Sequence, residues 1–103
     1  MNDEITRREE QVLLAINELQ EDAYLVSIMK HLTDLLDKSW TVGAVHKPLM
    51  RLENMGFIDS FTGEATAVRG GRGKKIYKIT ERGLEVLRSA KKTNDLLWAN
   101  FSG

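Results

Sequence analysis

The residues with the most evident chemistry are 68–80, VRGGRGKKIYKIT, where Arg69, Arg72, Lys74, Lys75 and Lys78 stand among three glycines without an acid between them. Cations in such a run break no bonds; they bind phosphates and release the counterions condensed on nucleic acid. The four at its front would give log K against log salt a slope of up to about −3.6 on B-DNA. The glycines let a segment of this kind follow a curved backbone. Catalytic readings find little support. The chain has no cysteine, and its two histidines, His31 and His46, lie far apart in sequence with no ordered acid beside them. Neither a metal triad nor a nucleophile–base pair can be assembled from that set. No metal, no cofactor and no enzymatic activity are expected.

Over 103 residues, 15 Lys+Arg balance 15 Asp+Glu to a formal net charge of zero. The balance hides a division after Asp37: residues 1–37 hold 3 cations and 9 anions, a net of −6, and residues 38–103 hold 12 and 6, a net of +6. A polyanion responds to the field within about one Debye length, roughly 8–10 Å, so the neutral total does not argue against one as partner. With 42% hydrophobic and 29% charged residues the composition is that of a folding chain, and the length suits one small domain. The longest apolar run, VLLAI, is too short to span a bilayer, and the acidic start MNDE lacks the features of a signal peptide, so the cytoplasm is the expected compartment.

These cations need elements to hold them. Thr6 and Glu9 have capping-box spacing, and Val12, Leu13, Ile16 and Leu19 follow at helical intervals, which predicts a first helix from Thr6 to about Leu19. Leu25, Ile28, Met29, Leu32, Leu35 and Leu36 form the apolar stripe of a second. Thr41 suits the N-cap of a third, with Trp40 and Val45 placed for a hydrophobic staple, Val45, Leu49 and Leu52 on its core face, and Gly56 as the left-handed residue that closes it. Pro48 lacks an amide and crowds the carbonyl of Ala44, which predicts a loosened or kinked first turn. GFIDSF and KIYKIT read as two strands of a hairpin, with residues 62–74 as its long tip and Lys78 on the same strand face as Ile76. Thr80 then caps a final helix from Glu81 to about Phe101, with a bend expected at KKTND.

A helix pair whose second member turns small and basic residues outward is what a helix-turn-helix requires, because a major groove about 12 Å wide admits only a slim leading face. Gly43 and Ala44 supply slimness; Thr41, His46, Lys47 and Met50 share the approach, and Arg51 lies toward the flanking backbone. The cation-tipped hairpin after it has the character of a wing, bringing Arg69, Arg72, Lys74 and Lys75 to phosphates or the minor groove. The expected fold class is therefore mainly α (α+β), a winged helix-turn-helix over residues 1–80 followed by a C-terminal helix, residues 81–103, packed on the same domain.

LLAINEL with AYLVSIMKHL, VGAVHKPLMRLENMGFI and above all GGRGKKIYKITERG resemble the PadR-like winged-helix transcriptional regulators over about residues 10 to 92. The resemblance implies a cytoplasmic DNA-binding repressor acting as a homodimer. In some members a small aromatic effector sits between aromatic side chains at the dimer centre, whereas here Lys91 and Asn94 interrupt the apolar stripe. The family often has Gly-Tyr near the start of its second helix, where this chain has Leu25 and Val26, and a Tyr-Pro pair in the recognition helix, where it has His46 and Lys47 before Pro48.

A dimer also follows from length. A helix of about 20 residues extends some 30 Å, so its far end, with Leu97, Trp98 and Phe101, should project and expose an apolar patch unless a second copy covers it. Leu13 of the first helix is expected to share that interface. The alternative reading is a winged helix that serves as a protein-interaction module without binding DNA, its acidic first third being the docking surface.

Overall fold

The computed structural model describes residues 4–63 and 74–102. In chain order it contains α1 (Arg7–Leu19), a single 3-10 turn (Gln20–Asp22), α2 (Leu25–Leu36), α3 (Val42–Asn54), β1 (Ile58–Thr62), β2 (Lys75–Ile79) and α4 (Glu81–Trp98). Three of the four helices start at a threonine whose hydroxyl takes an amide left unpaired by the first turn: Thr6 from Glu9, Thr41 from Ala44 and Thr80 from Gly83, each at 3.1 Å. Glu9 completes the capping box by accepting from the Thr6 amide at 2.8 Å. α2 starts at Tyr24, whose amide donates to Ser27 Oγ at 2.9 Å.

The stripes read from sequence meet in one core. Val12, Leu13, Ala15 and Ile16 of α1, Ile28 and Leu32 of α2, and Val45, Leu49 and Leu52 of α3 are buried together with Phe57, Ile58, Tyr77, Val86 and Leu87. Each large apolar side chain enclosed in this way contributes about 1.5–3 kcal/mol relative to exposure. Two expectations are corrected here. Leu35 and Leu36 continue the α2 stripe in sequence but stand exposed, Leu35 at 68%, because the helix runs past the elements that cover its first half. Leu13 lies wholly inside the protomer, so it offers no surface to a partner; the apolar residue that α1 turns outward is its neighbour Leu14.

α3 runs unbroken through a buried Pro48. Its first turn is nevertheless looser than the others: Val45 N donates to Thr41 O at 3.3 Å, against 2.9 Å at the corresponding places in α1 and α4. That difference is in keeping with the proline crowding the turn before it. At its far end Gly56, with φ of +81°, closes the helix as a Schellman motif, Phe57 N donating to Leu52 O at 2.9 Å and Gly56 N to Glu53 O at 3.1 Å.

β1 and β2 pair antiparallel, Ile58 opposite Ile79 and Thr62 opposite Lys75, and Gly63 N extends the ladder to Lys74 O at 2.7 Å. The other edge of β2 is used as well: Tyr24 bridges Ile76, and Tyr77 N donates to Ala23 O at 2.8 Å. The segment entering α2 thus serves as a rudimentary third strand and fixes the hairpin against the helix pair. α4 is joined to the end of α3 through Thr80, whose hydroxyl donates to Gly56 O at 2.8 Å and whose amide donates to Phe57 O at 3.0 Å. It runs unbroken through residues 91–95 and ends at Trp98, leaving Phe101 beyond it. Among the described residues no helix is long and apolar enough to cross a membrane.

Candidate nucleic-acid interface

α3 buries Val45, Pro48, Leu49 and Leu52 and presents the opposite side to solvent. Val42, Gly43, His46, Lys47, Met50 and Asn54 are exposed there, while Ala44 is half-buried toward α1. A Cβ built on Gly43 would have no heavy atom within 4 Å, so this stretch of helix is bare backbone facing open space. Thr41 is occupied as the cap, with its hydroxyl on the Ala44 amide. The slim, polar face expected from sequence is present, and α3 carries it at its amino-terminal half.

Arg51, expected toward the flanking backbone, is held against α1. Its Nη1 donates to Glu9 Oε1 at 2.5 Å, tying α3 to α1 across 42 residues of sequence. Glu9 is 5% exposed and holds two charge-satisfying bonds, one from Arg51 and one from the Thr6 amide. Breaking the pair would leave a buried carboxylate short of a partner, which is costly. Arg51 therefore carries a charge already compensated within the protein, with the rest of its guanidinium toward solvent. Beside this pair, Thr6, Arg8, Glu9, Gly43, Ala44, Lys47, Pro48 and Arg51 line a shallow groove of about 380 Å³ between α1 and α3.

The hairpin meets α3 through Glu53. One carboxylate oxygen accepts from Ser60 Oγ of β1 at 2.5 Å and the other faces Lys75 Nζ of β2 at 3.5 Å. Lys75 also lies 5.6 Å from the centre of the Tyr77 ring, and Lys74 Nζ stands 4.0 Å from the centre of the Tyr24 ring. Both cations stand at the loop end of the β1–β2 ladder beside aromatic rings, and Lys75 also faces Glu53. Lys78 is exposed on the outer strand face. Arg69 and Arg72, assigned to the tip from sequence, lie outside the described residues. Burial pushes the Tyr77 phenol up from its usual range, with Lys75 lowering it and Glu53 raising it.

At the far end of α4 the apolar side chains have no cover within the protomer. Leu96, Leu97, Trp98 and Phe101 are all at least 59% exposed, and Trp98 meets Phe101 edge to face with ring centroids 4.8 Å apart. Lys91 pairs with Asp95 at 2.7 Å along the solvent side of the same helix, and that bond holds the ammonium above its ordinary pKa.

Reading the sequence missed Glu9 as a partner of α3, although the capping box had singled it out; nothing local signals a contact with residue 51. It also missed Arg8, whose guanidinium lies 5.2 Å from the centre of the Trp40 ring.

The sequence model of the transcriptional regulator PadR-like family matches residues 12–89. Among solved structures, a PadR family transcriptional regulator from Eggerthella lenta is 28% identical with a TM-score of 0.69, over 88% of this chain and 77% of the other. A transcriptional regulator from Clostridium thermocellum has a TM-score of 0.71 at 21% identity, covering 88% and 85% of the two chains. A PadR-like transcription factor from Bacteroides fragilis has a TM-score of 0.66 at 22% identity, covering 88% and 85%. These last two likenesses concern the fold. No curated protein matches the chain.

Proposed function

Because the chain belongs to the PadR-like family of transcriptional regulators, DNA-binding proteins and not enzymes, we propose that it is a sequence-specific repressor that reads a palindromic operator as a homodimer. The observation that carries this reading is the bare, polar outer face of α3, with nothing standing over Gly43 and with the hairpin anchored to the same helix by Glu53. In this reading α3 enters the major groove. Thr41, Gly43, Ala44, His46, Lys47 and Met50 approach the base edges, Lys47 being the donor suited to guanine O6 and N7. Arg51, braced by Glu9, stands at the flanking backbone. Lys74 and Lys75 at the loop end of the strands, with Arg69 and Arg72 before them in sequence, address phosphates and the minor groove.

Residues 1–80 form the DNA-binding domain, and the C-terminal segment 81–103 supplies the dimer contact through Leu97, Trp98 and Phe101. Two-fold symmetry would set the two recognition helices about 34 Å apart, one turn of B-DNA. An effector is left out of this reading: Trp98 and Phe101 pack on each other, and residues 91–95 are polar. Titration of the full chain against mixed-sequence duplex at two salt concentrations, followed by selection from random duplexes, tests the proposal. Salt-sensitive binding and a palindromic consensus are expected. Absence of binding even at low salt would refute it and favour a protein-interaction module.

A further inference from the structure

The groove between α1 and α3 carries one charge that neither the helix-turn-helix nor the hairpin accounts for, that of Arg8. Three cations line it, Arg8, Lys47 and Arg51, and one anion, Glu9. Glu9 is committed to Arg51. Among the described residues neither Arg8 nor Lys47 forms an ion pair, so the groove keeps an uncompensated pair of positive charges beside the face that α3 turns outward. The nearest polyanion in the DNA-binding reading is the strand bordering the major groove.

We infer that Arg8, at the start of α1, is a DNA-backbone contact, seating a phosphate in the groove between α1 and α3. The inference rests on the DNA-binding reading. Arg8 is held for this role by the platform beneath it, the Trp40 ring 5.2 Å away. Trp40 is itself fixed, its backbone amide donating to Thr33 Oγ1 at 3.2 Å, and it directly precedes Thr41, the cap of α3. A guanidinium lying on an aromatic face loses little freedom when a phosphate arrives, and its edge N–H groups remain free to donate. The platform, the cap of α3 and the groove are thus one rigid corner, and α1 becomes a third element in contact with the duplex.

The test is a salt titration of full-length protein on duplex DNA with Arg8→Gln and Arg8→Lys. Arg8→Gln removes the charge and keeps most of the side-chain length. For each protomer bound, the slope of log K against log salt should become shallower by about 0.9, so the advantage of the wild type should shrink about 3.5-fold between about 50 and 200 mM salt. The loss should be the same on unrelated duplexes, and Arg8→Lys should restore the slope. A residue that merely covers Trp40 would shift the unfolding midpoint and leave the slope alone. An unchanged slope in Arg8→Gln, with wild type and the hairpin variants still binding as expected, would overturn the inference and leave the DNA-binding reading standing. If wild type binds no duplex at low salt, that reading fails and takes the inference with it.

Discussion

Gly43 and Gly83 are both helical glycines, and a methyl group on each has opposite consequences. At Gly83 a Cβ would lie 2.2 Å from Phe57 O and 2.7 Å from Ile79 Cγ1, so Gly83→Ala must push α4 off the hairpin base, at a cost of about 1–3 kcal/mol in chemical denaturation. At Gly43 the same methyl meets nothing, and better helix propensity should raise stability by up to about 1 kcal/mol. Gly43→Ala should still bind its operator less well, because the methyl stands between α3 and the bases; a variant that is more stable and binds as tightly would remove Gly43 from the interface. Arg51→Ala leaves the buried Glu9 carboxylate with the Thr6 amide alone and should destabilise by about 2 kcal/mol, a figure moderated by the half exposure of the arginine. Glu9→Gln, which can still close the capping box, should cost less. The open face at Gly43 was legible in sequence because helical spacing sets Val45 and Leu49 opposite it. The Glu9–Arg51 pair was not, since only the packing of α1 on α3 brings those residues together.

Helix starts were the most legible elements, since Thr6, Thr41 and Thr80 each carry their own local chemistry, and Gly56 marks a stop that no other residue type fills as readily. What periodicity could not show is where a stripe ceases to be covered. Leu35 and Leu36 repeat correctly along α2 yet stand exposed, and KKTND interrupts the α4 pattern without breaking the helix because a helix surrounded by solvent needs no apolar face. The pairing of Ala23 and Tyr24 with β2 was hidden too, being a contact of two residues between distant segments. That pairing places Tyr77 at the centre of the small sheet, where burial raises its phenol pKa. The unfolded chain then loses the proton first, so the stabilisation is complete below the ordinary value of about 10 and declines as pH rises through the folded one. Denaturant midpoints should fall above about pH 10, and Tyr77→Phe should flatten that fall; an unaltered profile in the variant would assign the effect elsewhere.

At the scale of the molecule, the protomer measures 56 × 32 × 20 Å with a radius of gyration of 15.2 Å, against about 13 Å for a compact chain of this length. In the proposed homodimer, a second copy would cover the exposed Leu96, Leu97, Trp98 and Phe101. Leu97→Asp with Trp98→Asp should convert a dimer to a monomer in sedimentation equilibrium and abolish tight operator binding while leaving the helical content unchanged. Charge was legible at this scale only after dividing the chain, because the acidic first third and the basic remainder cancel in the total. The account rests above all on α3 and the hairpin engaging one duplex with different tasks. Competition between a selected operator and mixed-sequence duplex, measured for Lys47→Ala and for Arg72→Glu with Lys74→Glu, tests this most directly. The account predicts that the hairpin variant loses affinity for both duplexes alike with a shallower salt slope, and that Lys47→Ala changes the ratio between them. An equal loss on both duplexes from both variants would contradict it.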